Sequence, residues 1–317
     1  MRIAQLTYST KPRGGVVHTL ALAEALAARG HDVEVWTLGS TASPPTRGYA
    51  RGIPVVRTIH HLDTFTTPQL VACHDRAVAE PIARLCVSHA VSREVEQAYG
   101  VRPEVIANGV DAERFAVASG PAGAAARAGW RGQLGDYVLA LGGIEPRKGS
   151  IDLLEAFARV RDAHPARHRP TILGPVDDDA LPALVAEARA LAFVSTKEGF
   201  GLAAMEALAA STPVVARDLP VIREVFGDTV LYAATPAEIA ARLDEVLRGD
   251  APTDTAAGPR ARPAPTRGSG PHGRTSGSMR ACRRGACDDR ALVLGDPRRS
   301  CTGPPPTSRS WSMPRAP

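Results

Sequence analysis

Between Ser195 and Ala210 the chain reads S-T-K-E-G-F-G-L-A-A-M-E-A-L-A-A, which sets two carboxylates, Glu198 and Glu206, eight residues apart around a glycine-flanked turn. Gly199 and Gly201 let the backbone turn tightly and expose consecutive amides where an apolar helix begins. Free N–H groups at the positive end of a helix dipole suit a diphosphate, with the dipole contributing roughly 0.3–1 kcal/mol. Glu206 is the only charge from Leu202 to Ala216, and a lone carboxylate on a helix apolar on all sides needs a polar partner. Vicinal hydroxyls are such a partner, since hydrogen bonds to a charged acceptor are worth about 1.5–3 kcal/mol. A ligand carrying both a diphosphate and vicinal hydroxyls fits this pattern. The three lysines of the chain, Lys11, Lys148 and Lys197, stand beside glycines in loops, against a background of 35 arginines.

The elements that must position these groups follow a βαβ rhythm. Short Val-, Ile- and Leu-rich runs alternate with longer Ala-, Leu- and Glu-rich stretches, the pattern of parallel sheets covered on both faces. A first set of strands is predicted near 3–7, 33–38, 54–59, 85–88 and 104–107, with helices near 16–29, 68–84 and 91–99. A second set has strands near 137–141, 171–173, 192–195, 213–216 and 229–232, with helices after Gly149, Ala180, Gly201, Pro220 and Thr235. The expected organisation is two doubly wound α/β domains, 1–115 and 136–248, joined through 116–135, an Ala-, Gly- and Arg-rich connection. Ligands in such sheets bind beyond the carboxyl ends of the strands, where Gly14-Gly15, Gly142-Gly143 and the Glu198–Gly201 turn all fall.

Charge is divided unevenly. Residues 249–317 hold 12 arginines and no lysine against 5 acidic residues, a net of +7, which leaves residues 1–248 at −2. The basic character therefore belongs to the tail and argues for no nucleic-acid groove in the folded body. The tail, rich in Pro, Gly, Ser and Arg, reads as disordered or as a frameshifted stretch of a GC-rich gene. As a basic arm it also allows a weak peripheral contact with anionic lipid. Five cysteines without a C-x-x-C pair imply neither a disulfide framework nor a zinc site, and no apolar run approaches membrane-spanning length. A cytoplasmic location is the expectation.

The segment Glu198, Phe200, Gly201, Leu202, Glu206 resembles the Glu, seven residues, Glu motif with internal F-G-L of the retaining glycosyltransferases of family 4, which have the GT-B fold. Other segments fall in the family's order. L-T-Y-S-T-K-P-R-G-G-V-V-H-T-L is similar to its opening strand and glycine loop, V-V-R-T-I-H-H-L-D to its T-x-H-D stretch, and V-I-A-N-G-V-D-A-E-R-F to its N-G-V-D-x-x-x-F. L-G-G-I-E-P-R-K-G-S resembles the loop that clamps the diphosphate with an arginine and a lysine. The resemblance covers about residues 1–235. It implies transfer of a hexose from a nucleotide-diphosphate sugar, such as GDP-mannose or UDP-glucose, to an unidentified glycan, lipid or small-metabolite acceptor, with no cofactor and no metal. It implies catalytic roles for His60, Glu198 and Lys148. Donor contacts are implied for Gly14, Gly15, Arg147, Lys148, Phe200, Gly201 and Leu202, with Glu206 on the ribose. A strand-end histidine bonded to backbone is the alternative for His60, and Asn108-Gly109 reads as a turn.

The chain departs from the pattern in three places. The family's arginine stands here as Gly143, with Arg147 the nearby substitute. A βα unit is missing after Leu38, and a strand and helix after helix 151–163. Those gaps leave a shortened homologue that binds a nucleotide or partner without turnover as the second reading. A nucleotide-sugar epimerase or a sugar phosphorylase shares the fold, whereas an NAD-dependent dehydrogenase lacks its G-x-G-x-x-G here.

Overall fold

The structure is a computed structural model that describes residues 1–7, 14–37, 54–163, 169–250 and 291–295. The second half of the chain is the larger body. Its strands are β6 (Tyr137–Ala140), β7 (Arg169–Gly174), β8 (Ala190–Phe193), β9 (Val214–Arg217), β10 (Leu231–Ala233) and β11 (Ala291–Gly295), in the sheet order β10-β9-β8-β6-β11-β7. The pairs β6/β8, β8/β9 and β9/β10 are parallel. Strands β8 and β9 are buried at every position, which explains why each reads as an unbroken apolar run with no polar alternation.

Alternate residues of these strands feed two cores. Tyr137, Leu139, Leu191 and Phe193 face one side, where they meet α7 (Leu181–Glu187), α8 (Leu202–Ala209) and α9 (Pro220–Phe226). Val138, Ala190, Ala192 and Val215 face the other, against α6 (Ser150–Ala163) and α10 (Pro236–Arg248). The sequence periods of 2 and 3.6 are thereby both satisfied, and the sheet is covered on both faces.

One expectation, a tail without structure, is corrected here, and the connecting segment gains detail. Residues 116–135 form helices, α4 (Ala112–Ser119) and α5 (Ala124–Leu134), on either side of a 3₁₀ turn at Pro121–Gly123. Ala and Arg favour helix, and two apolar anchors, Phe115 and Leu134, seat the pair in the core that Tyr137 and Leu139 face. Glu187 of α7 fastens α5 further, pairing with Arg131 at 2.5 Å and Arg127 at 3.7 Å. Within the tail expected to lack structure, Ala-Leu-Val-Leu-Gly forms β11, antiparallel to both β6 and β7. It is the longest apolar run of that tail, and it takes a sheet position beside the strands where the sequence omits a βα unit. The remainder of 251–317 lies outside the described residues.

The first half divides into two sheets among the described residues. Strand β1 (Arg2–Thr7) pairs in parallel with β2 (Asp32–Thr37) beneath α1 (Gly14–Ala28). Strands β3 (Val56–Ile59), β4 (Ala83–Cys86) and β5 (Glu104–Val105) form a separate parallel sheet with α2 (Pro68–Ala79) and α3 (His89–Tyr99). Helix α2 stops at Ala79 instead of continuing to residue 84, because Pro81 disfavours helix at Glu80 and cannot donate an amide. The first sheet leaves Leu6, Val35 and Trp36 exposed, Trp36 by 59%. That apolar surface is what a parallel sheet shows when a neighbouring unit is missing. Among the described residues no helix is long and apolar enough to cross a membrane.

Candidate functional site

Two loops at the carboxyl ends of β6 and β8 carry the second-half groups. After β6 the chain passes Gly142 and Gly143 into a 3₁₀ turn at Pro146–Lys148, and after β8 it runs through Ser195 to Gly201. The loops are stitched together by the Thr196 amide, which donates to the Arg147 carbonyl at 2.9 Å. Above that stitch the Lys148 ammonium donates to Glu198 Oε1 at 2.7 Å, and both side chains are largely buried. The two residues assigned to catalysis in this half thus meet as an ion pair. Arg147 does not join them: its guanidinium lies 3.8 Å from Glu145. Gly143 takes φ of 84°, a left-handed conformation that favours glycine and accounts for the missing arginine.

Helix α8 starts just after Gly201, whose φ of 99° marks the turn, and no side chain caps its N-terminus. Phe200 is buried and Leu202 is half-buried, so the backbone there is the part available to an anion. Glu206 sits one turn on, and no described residue donates a hydrogen bond to its carboxylate. Burial pushes its pKa up to about 7, opposed by the charge of Arg114 and helped by Asp178. Arg114 is itself paired with Asp178 at 2.9 Å, so its pull on Glu206 is shared.

The first half supplies imidazoles and glycines. Gly14 opens α1, and a Cβ built on Gly15 would lie 3.7 Å from the His60 ring. His18, on the same helix, meets His60 edge to face with 5.0 Å between ring centroids. Burial first, then the neighbouring His18, His61 and Arg57, lower the His60 pKa to about 4. His60 is accordingly neutral at ordinary pH, an imidazole that can donate or accept a hydrogen bond without carrying charge.

The halves touch directly at these residues. A Cβ on Gly199 would stand 1.7 Å from the His60 carbonyl oxygen, so only glycine permits this approach. Ser88 Oγ donates to the Gly199 carbonyl at 2.9 Å, and the Lys197 ammonium donates to the Leu62 carbonyl at 2.5 Å. Glu224 on α9 accepts from the backbone amides of His89 (2.6 Å) and Ala90 (2.8 Å), capping α3 from across the cleft. His60 and Glu198 are therefore neighbours in space, 138 positions apart in the chain. Sequence reasoning missed His18, Ser88, Arg217 and Glu224. His18 alone had a signal, lying three residues past Gly15 on the face of α1 that turns inward. Lys11 lies outside the described residues. Among the described residues, no group of three His, Cys, Asp or Glu side chains is arranged to hold a metal ion.

Two family models match the chain, one described as glycosyl transferases group 1 over residues 162–263 and one as glycosyltransferase family 4 over residues 40–114. Segments of both halves of the chain are thus similar to glycosyltransferases. Among relatives, the phosphatidyl-myo-inositol mannosyltransferase of Mycobacterium tuberculosis is 32% identical over 214 residues, covering 58% of this chain and 54% of that protein. The D-inositol 3-phosphate glycosyltransferase of Salinispora tropica is 32% identical over 252 residues, covering 61% and 51%. The Escherichia coli serotype-specific mannosyltransferase WbdA is 32% identical over 135 residues, covering 34% and 17%. The chain thus spans about half or less of the length of the curated relatives it matches. The solved structure of Anabaena HepE in complex with UDP-glucose has a TM-score of 0.62 at 19% identity, covering 81% of this chain and 92% of that one. WaaG, a glycosyltransferase involved in lipopolysaccharide biosynthesis, gives 0.61 at 16%, covering 80% and 92%. With these solved structures the chain shares the GT-B fold.

Proposed function

We propose that this chain is a retaining hexosyltransferase that uses a nucleotide-diphosphate sugar without a metal. The observation that carries the reading is the Lys148–Glu198 pair, set beside an uncapped helix N-terminus in the loop whose Gly199 abuts the His60 backbone. Lys148 turns from Glu198 toward the diphosphate as donor binds, and the α8 amides share the charge. Glu198 and His60 then hold the sugar hydroxyls. The bond from the anomeric carbon to the diphosphate breaks, the acceptor oxygen bonds to that carbon on the same face, and its proton passes to the departing phosphate oxygen. Two of the relatives named above are mannosyltransferases, which makes GDP-mannose the first donor to try.

A thermal-shift panel of nucleotide sugars, followed by nucleotide-diphosphate release from each binder, tests the reading. The expected result is stabilisation by one donor, sugar release, and loss of about two to three orders of magnitude in turnover for Glu198→Ala, the scale of a removed charge-stabilising group. Undiminished turnover in Glu198→Ala overturns its assignment. The second reading, a nucleotide-binding homologue without turnover, draws on Gly143 in place of the arginine and on the divided first half. Stabilisation by the nucleoside diphosphate with no sugar release favours it.

A further inference from the structure

Beneath the Lys148–Glu198 pair lies a guanidinium with no role in the proposed chemistry. Arg217, the last residue of β9, is 8% exposed, and each of its nitrogens has an acceptor. Nε and Nη2 donate to the Val194 carbonyl at 3.2 and 3.1 Å, Nη1 donates to the Ala234 carbonyl at 2.6 Å, and Nη2 also pairs with Asp152. A buried ion pair is a poor device for stability alone, since apolar residues of the same volume often do as well. A rigid planar fork with several donors is, in contrast, suited to fixing elements relative to one another.

The elements Arg217 fixes are those that carry the ion pair. Val194 follows β8 and precedes Glu198 by four residues, while Asp152 lies in the first turn of α6, four residues after Lys148. Between Lys148 and α6, Gly149 is pressed onto the same place: a Cβ there would stand 2.1 Å from the Val194 carbonyl oxygen and 3.2 Å from Arg217 Nη2. Both loops are therefore referenced to one side chain. We infer that Arg217 is a positioning residue that sets Lys148 against Glu198, an inference about their geometry that rests on the proposed function only for its effect on turnover.

The chain has three lysines, so competitive trace acetylation read by mass spectrometry reports Lys148 separately from the others. Arg217→Met, Arg217→Lys and Asp152→Asn are compared in the full chain with wild type and with Leu134→Ala, a core change on the opposite face of the sheet. Freed of its anchor, Lys148 in Arg217→Met should acetylate about tenfold faster, the ratio expected for one lost charge-assisted hydrogen bond. Arg217→Lys should recover part of the protection, and Leu134→Ala should lower the unfolding midpoint without changing the Lys148 rate. In donor hydrolysis, kcat of Arg217→Met should fall about tenfold to a hundredfold, the scale of a small misplacement, with a lesser change in KM. A Lys148 rate in Arg217→Met no faster than in Leu134→Ala overturns the inference. Should Arg217→Met not fold, a wild-type Lys148 rate in both Arg217→Lys and Asp152→Asn overturns it equally. Absence of sugar release by the wild-type chain counts against the proposed function alone, because the acetylation rates still decide the positioning.

Discussion

Glu206 and His60 carry opposite displacements that share one cause. Burial raises the carboxylate to about 7 from its ordinary 4.5, and lowers the imidazole to about 4 from 6.5. The folded chain therefore holds a proton on Glu206 that the unfolded chain releases, a stabilisation present at low pH and lost as pH rises through 7. His60 works the other way, since below pH 6.5 the unfolded chain takes up a proton that the folded one refuses until about 4. The two effects oppose each other in mildly acidic solution, so binding is the cleaner readout. On the proposed reading Glu206 accepts the ribose hydroxyls as an ionised carboxylate, so its proton leaves as the nucleotide binds. Donor affinity should accordingly weaken about tenfold from pH 8 to pH 6, while Glu206→Gln should bind more weakly at pH 8 and show no such slope. Calorimetric dissociation constants across that range check this, and a flat wild-type profile removes Glu206 from the ribose. The sequence marked Glu206 as a charge out of place in its helix. That Lys148 would seek Glu198 was not legible, because a loop side chain finds its partner only when two loops 50 residues apart are brought together.

At the scale of elements, the sheet of the second half tests how much an unpromising tail can contribute. Strands β6 and β7 do not pair with each other; each pairs with β11. Removing β11 leaves unpaired amides and carbonyls along both, and each buried unsatisfied group costs about 1–3 kcal/mol. A chain ending at Asp250 should therefore unfold at lower temperature and self-associate through the opened edges. Thermal unfolding and size-exclusion chromatography check this, and a monomeric truncated chain with an unchanged midpoint refutes the contribution of β11. Strands such as Val-Val-Ala-Arg and helices such as Pro236–Arg248 were legible because local pattern and burial agree. Helices α4 and α5 were not, since two anchors in an Ala- and Gly-rich stretch leave almost no periodic signal. Strand β11 escaped for a related reason: five apolar residues become a strand only when a gap of the right width is waiting for them.

Across the whole molecule, the polar contacts that join the halves among the described residues include one group at Glu224 and another around the Gly199 turn. Glu224 caps α3 from the opposite side with two backbone amides and lies 3.4 Å from Arg93, while Ser88 and Lys197 tie the Gly199 turn and its neighbours to the first half. A carboxylate at a helix N-terminus is worth about 0.3–1 kcal/mol, and up to about 2 when partly buried. That is enough to shift a balance between closed and open arrangements. Glu224→Ala should enlarge the radius of gyration in X-ray scattering without lowering the unfolding midpoint appreciably, and an unchanged radius refutes its part in closure. The sequence by itself determined the α/β class and the likeness of its segments to glycosyltransferases, because spacing and periodicity are local properties that survive without a fold. Only the tertiary structure decided that Lys148 pairs with Glu198, that Arg217 holds Val194 and Asp152 together, and that His60 lies against Gly199. Those contacts join residues between 23 and 139 positions apart, and nothing short of the packed sheets fixes their distances.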